Sequence, residues 1–118
     1  MTVAALDHTK RPVAPFSARV TAEGTAAVVA FRGEADAFTL PTVIDALVRV
    51  ISEHDGPVVV DLAETSFIDT GTLRAFGRAA LILACRDRSL TVRAPSRMAL
   101  RLLAFLGLSD LIQIEPKR

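Results

Sequence analysis

From Phe16 onward the chain alternates, with Phe16, Ala18, Val20 and Ala22 on one side and Ser17, Arg19 and Thr21 on the other. A period of two predicts a half-buried strand. Glu23-Gly24 supplies a turn, and residues 26–31 form a continuous apolar run. Together they read as a hairpin whose second strand lies deeper in a sheet. After Gly33 the pattern predicts a loop and then a helix, because Leu40, Val43, Ile44, Leu47, Val48 and Ile51 recur at helical spacing. Thr39 stands where an N-cap belongs, and Pro41 falls in the first turn, where a missing N–H costs nothing. His54-Asp55-Gly56-Pro57 ends the helix.

Val58-Val59-Val60 with Leu62 is short, β-branched and apolar, which predicts a strand covered on both faces. A second helix begins at Thr70, with Leu73, Phe76, Ala80 and Leu83 on one side. Leu90 and Val92 mark another strand over residues 89–93. Pro95-Ser96 opens a third helix, with Ala99, Leu102, Leu103 and Leu106 inward and Gly107 as its stop. Leu111, Ile112 and Ile114 suit a last short strand. Strands alternating with helices predict an α/β fold: a single mixed sheet of about four to five strands with helices packed on it.

Length then sets the organisation. The 118 residues suit one domain over residues 15–118, preceded by a loosely ordered leader over 1–14. Hydrophobic residues make up 51% of the chain, enough for a real core, and the formal charge is only +1. Arg and Asp/Glu are interspersed rather than gathered in a basic stripe, and Phe is the only aromatic, so nucleic acid is not an expected partner. No apolar run reaches the length of a membrane span, and no secretory signal is visible, so the expected location is the cytoplasm. The single Cys85 lies in an apolar run and reads as a buried core thiol. His8 and His54 stand far apart in polar segments and make no metal pattern with it.

Motifs for enzyme chemistry do not emerge. The chain has no Gly-rich phosphate loop and no G-x-S-x-G elbow. Glu34, Asp36, Asp61, Glu64 and Asp69 are scattered acids without a companion phosphate-binding lysine signature. The informative stretch is residues 58–76, VVVDLAETSFIDTGTLRAF. It runs from strand through a short segment into a helix at Asp69-Thr70. The first turn of a helix exposes unpaired N–H groups and the positive end of the macrodipole. A hydroxyl at Thr70 therefore suits two roles: capping the helix, or carrying a phosphate that meets those donors.

The same stretch resembles the STAS domains of bacterial anti-sigma factor antagonists. Those domains place a D-L-like pair at a strand end, then a hydrophobic pair and D-S-S-G-L or D-S-T-G-L at a helix start. Asp61-Leu62, Phe67-Ile68 and Asp69-Thr70-Gly71-Thr72-Leu73 stand in the matching places. Gly33-Glu34-Ala35-Asp36 resembles the family's G-E-L-D, and Ala94-Pro95-Ser96 with Gly107-Leu108 resembles its third helix and closing G-L. The likeness spans residues 16–114. It departs where Gly71 replaces the second hydroxyl residue, where Thr72 replaces the glycine, and where Arg86-Asp87-Arg88 replaces a frequent Gly-Gly.

What the resemblance implies is partner switching by a non-enzymatic protein. The expected partner is an anti-sigma factor with serine/threonine kinase activity, which supplies ATP and Mg²⁺ itself. The expected phosphorylation site is Thr70, with Thr72 as second choice, and a phosphatase resets the switch. Partner contacts are expected at Asp36, Thr39, Asp69, Gly71, Thr72 and Arg74, although Asp36 and Arg74 also read as solvated and Asp69 as a cap. The alternatives are a non-phosphorylated STAS scaffold and a ligand-sensing subunit of a larger regulatory complex. Homodimerisation is left open by the sequence.

Overall fold

The structure, a computed structural model, describes residues 15–116; the predicted leader over 1–14, and with it His8, lies outside them. Five strands and three helices follow one another as β1 (Ser17–Glu23), β2 (Ala26–Ala35), α1 (Leu40–Glu53), β3 (Val58–Ile68), α2 (Thr70–Ala84), β4 (Leu90–Arg93), α3 (Arg97–Phe105) and β5 (Gln113–Glu115). The sheet order is β1-β2-β3-β4-β5, with β1 antiparallel to β2 and every other pair parallel. This is the mixed α/β sheet expected from the alternation of periods.

Gly24 makes the β1–β2 turn with φ 60°, a conformation that costs an L side chain about 1–2 kcal/mol. Opposite that turn, Gly56 fits against the backbone of Thr25 so closely that a Cβ would lie 2.0 Å from the Thr25 carbonyl oxygen. The Arg88 guanidinium closes the same end, donating to the carbonyls of Gly56 at 3.0 Å and Ile51 at 2.9 Å. A cation on the last carbonyls of α1 also meets the negative end of that helix. The Arg86-Asp87-Arg88 segment thus ties α1 to β4, with Asp87 taking the left-handed conformation at φ 55°.

One core holds the sheet to all three helices. Ala27, Val29, Phe31, Val58, Val60, Leu62, Leu90 and Val92 point into it from alternate strand positions. Leu47, Phe76, Leu83 and Leu103 meet them from the helices, with Phe31 stacked between Phe16 and Phe76.

Several expectations are corrected. Burial of β3 on both faces holds at Val58, Val59 and Val60, but the helices pack on one face only, so Val59 and its neighbour Val28 are buried outside the helix-packed core. β1 is an edge strand with Val20 exposed, since nothing beyond Ala18 and Phe16 reaches the helix layer from it. β2 runs on to Ala35 instead of stopping at Gly33, because Glu34 and Ala35 still pair with Phe67 and Ile68 after two register shifts. β3 likewise extends six residues past Leu62, its polar outer half carried by that pairing. On α1, Ile44 and Val48 are exposed, and Val50 takes their place in the core. Cys85 is exposed at the C-cap of α2 and is not a core thiol.

Candidate functional site

The extended β2–β3 ladder ends at the pair Ala35↔Ile68, so Asp36 and Asp69 leave the sheet side by side. The Asp69 N–H donates to the Ala35 carbonyl at 3.0 Å, which fastens the two loops together. Both loops lie at the carboxyl ends of parallel strands, the customary place for function in an open α/β sheet.

Within the first loop, Asp36 Oδ1 accepts from the N–H groups of Phe38 at 2.9 Å and Thr39 at 3.2 Å. The Thr39 hydroxyl accepts from Asp36 N–H at 2.9 Å and lies 3.1 Å from the Glu34 carbonyl, to which it can donate. Thr39 therefore does not cap α1 with its side chain; it has turned back to order the loop that precedes the helix. The result holds Phe38 out of the fold, 93% exposed.

In the second loop the cap is Asp69. Its Oδ1 accepts from Thr72 N–H at 2.9 Å and from the Thr72 hydroxyl at 2.7 Å. A carboxylate here meets the positive end of α2 as well as the donors. Thr70 is the first helical residue, so the capping role open to it in the sequence is filled by its neighbour. Its side chain is exposed, and its hydroxyl makes no hydrogen bond to a described residue.

Thr72 is the opposite case. It is fully buried, its hydroxyl is committed to Asp69, and the first turn of α2 would have to open before an enzyme reached it. At the Gly71-Thr72 pair the hydroxyl is thus one residue further into the helix than Gly71, where it joins the Asp69 cap. Gly71 is not forced by space, since a Cβ there would rest at an ordinary 3.7 Å from Asp69 Oδ1.

Asp36, Thr39, Asp69 and Thr70 thus meet at the carboxyl end of the central strands β2 and β3, and Gly71, Thr72 and Arg74 continue along α2. Arg74 is exposed one turn beyond Thr70. Residue patterning alone missed Phe38, and it took Phe67 as one half of a hydrophobic pair. Phe67 is 53% exposed, because Ile68 takes the inward position of the alternation. An aromatic outside the register of α1 was the available signal for Phe38.

Residues 18–113 match the model of the family described as Mlab, STAS domain. The chain belongs to the STAS domain family. As a STAS domain it is 38% identical over 84 residues to the anti-sigma-B factor antagonist of Listeria monocytogenes, covering 70% of this chain and 73% of that protein. Its fold matches an anti-sigma factor antagonist from Mycobacterium paratuberculosis with a TM-score of 0.77, over 87% of both chains at 21% identity. The Bacillus cell fate determinant SpoIIAA in its phosphorylated form matches with a TM-score of 0.65, over 87% of this STAS domain and 93% of that chain, at 14% identity. Among the described residues no helix is long and apolar enough to cross a membrane.

Proposed function

We propose that this STAS domain is a cytoplasmic anti-sigma factor antagonist that works by partner switching. Unmodified, it binds an anti-sigma factor with serine/threonine kinase activity and so frees a sigma factor. The partner then transfers the γ-phosphoryl group of ATP to Thr70. The Thr70 oxygen forms the new bond to phosphorus, the bond to the ADP oxygen breaks, and the hydroxyl proton passes to a base on the partner. ATP and Mg²⁺ belong to the partner, and this chain contributes only the acceptor. A phosphatase returns it to the binding form.

The observation that carries this reading is the contrast between two threonines two residues apart. Thr70 offers an exposed hydroxyl without a described partner, at a junction whose backbone is already fixed by the Asp69 cap. Thr72 offers none. The relatives support the same reading, one being an anti-sigma-B factor antagonist and another a phosphorylated protein of this fold. Phe38, in the loop after β2, and Phe67, near the end of β3, are exposed apolar groups available to a partner, and a phosphate on Thr70 adds about −1.5 to −2 charges.

Incubation with ATP and the anti-sigma factor that co-purifies from the native cell, followed by intact-mass measurement, tests the transfer. The expected result is a gain of one phosphoryl group that Thr70→Ala abolishes. Thr70→Glu should then weaken binding to that anti-sigma factor more than Thr70→Ala does. No mass gain, with equal binding by both variants, would sink the switch and favour the scaffold reading.

A further inference from the structure

Thr70, Arg74 and Arg78 recur every four residues along α2 and form one exposed row on it. Residues four apart on a helix are neighbours, with Cβ atoms roughly 5–6 Å apart. Long side chains on a helix lean back over the preceding turn, which puts the surface beside residue 70 within reach of Arg74. An anion at the first position and a cation four residues later is also the favoured order for such a pair.

The Arg74 guanidinium has no competing claim. The ion pairs between described residues all belong to Arg93, on the far face of the sheet, and Arg74 makes no hydrogen bond to a described residue. The sequence of α2 contains neither Asp nor Glu. The closest carboxylate along the chain is Asp69, whose Oδ1 is already held by the two Thr72 donors.

We propose that Arg74 is the built-in counter-ion of a phosphate on Thr70. This rests on the reading of Thr70 as the modified residue and adds what the modification does within the chain. The guanidinium, planar and able to donate two parallel bonds, draws the phosphate back along α2. Modification then changes the surface twice, by adding a dianion and by withdrawing a cation from any partner that used it. Arg74 acts here as a positioning residue.

The full chain carrying phosphothreonine at position 70, installed by genetic encoding without any kinase, provides the test. Phosphorus-31 NMR follows the second ionisation of that phosphate, ordinarily near pH 6. A neighbouring cation favours the dianion and lowers the midpoint, whereas the Asp69 and Asp36 carboxylates work against it. Arg74→Gln is expected to raise the midpoint by about 0.3–0.6 pH unit, Arg74→Lys by less, and Arg78→Gln hardly at all. High salt should shrink the Arg74 effect. Circular dichroism and a melting curve check that each variant is folded. An unchanged midpoint in folded Arg74→Gln, or an equal shift in Arg78→Gln, overturns the pairing. Failure of the kinase assay would instead remove the underlying reading, and the titration is independent of it.

Discussion

At the scale of single residues, a buried hydroxyl decides how the site is held. Thr72 spends its side chain on Asp69 Oδ1, at 2.7 Å, inside a fully buried position. Thr72→Val keeps the volume and removes this bond to a charged acceptor. The expected loss is about 1–2 kcal/mol in urea unfolding, below the upper range for charged hydrogen bonds because Asp69 is half-buried and water can replace part of it. Thr70→Val should leave stability within about 0.5 kcal/mol, as for a surface position without partners. Equal losses at the two sites would contradict the division of labour between them. The sequence could show that a hydroxyl belonged near this helix start. It could not show which of Asp69, Thr70 and Thr72 faced inward, because capping geometry is settled by a rotation of less than one turn.

At the scale of elements, two glycines at one end of the sheet do different work. Gly24 is needed for its dihedral angles, with open space around it, whereas Gly56 is needed for its missing Cβ against the Thr25 backbone. Gly24→Ala should cost about 1–2 kcal/mol through backbone strain. Gly56→Ala should cost roughly 2–3 kcal/mol, since a turn held by the Ala27 N–H to Pro57 carbonyl bond must move. Chemical denaturation of both variants checks the order of the two losses. The helices were legible in the sequence because their apolar residues keep one period from cap to stop, as Leu73, Phe76, Ala80 and Leu83 do. Strand ends were not. Glu34, Glu64 and Ser66 look like loop residues, and the ladder running from Arg32↔Glu64 to Ala35↔Ile68 keeps the backbone extended there.

At the scale of the whole molecule, the sheet has two unlike faces. The helix side is a dry core, and the other side is organised around Arg93. Its guanidinium contacts Glu23 at 2.9 Å, Glu115 at 2.6 Å and Asp61 at 3.8 Å, joining β1, β3, β4 and β5. Hydrogen bonds to Glu23, then Glu115, hold its pKa even further above its already high value, so it stays charged at every accessible pH. Arg93→Met should cost about 1–2 kcal/mol, limited by the partial exposure of its partners. Added salt should narrow that loss by screening the three carboxylates left facing one another. Alternation in β1 and β4 revealed which residues shared a face, but not that helices would leave one face open. That depends on how the crossovers turn, which a single strand's pattern does not contain.

The loops at the other end of the sheet carry a consequence for time rather than for energy. Asp36, Thr39, Asp69 and the Asp69–Ala35 bond fix both loops before anything arrives. On the proposed reading, a partner would meet loops already ordered by these hydrogen bonds, without first having to order them. Association is then governed by encounter and orientation, at about 10⁵–10⁷ M⁻¹s⁻¹ for such surfaces. Under partner switching as proposed, a phosphate on Thr70 would act on both encounter and lifetime, because added surface charge changes steering as well as contact.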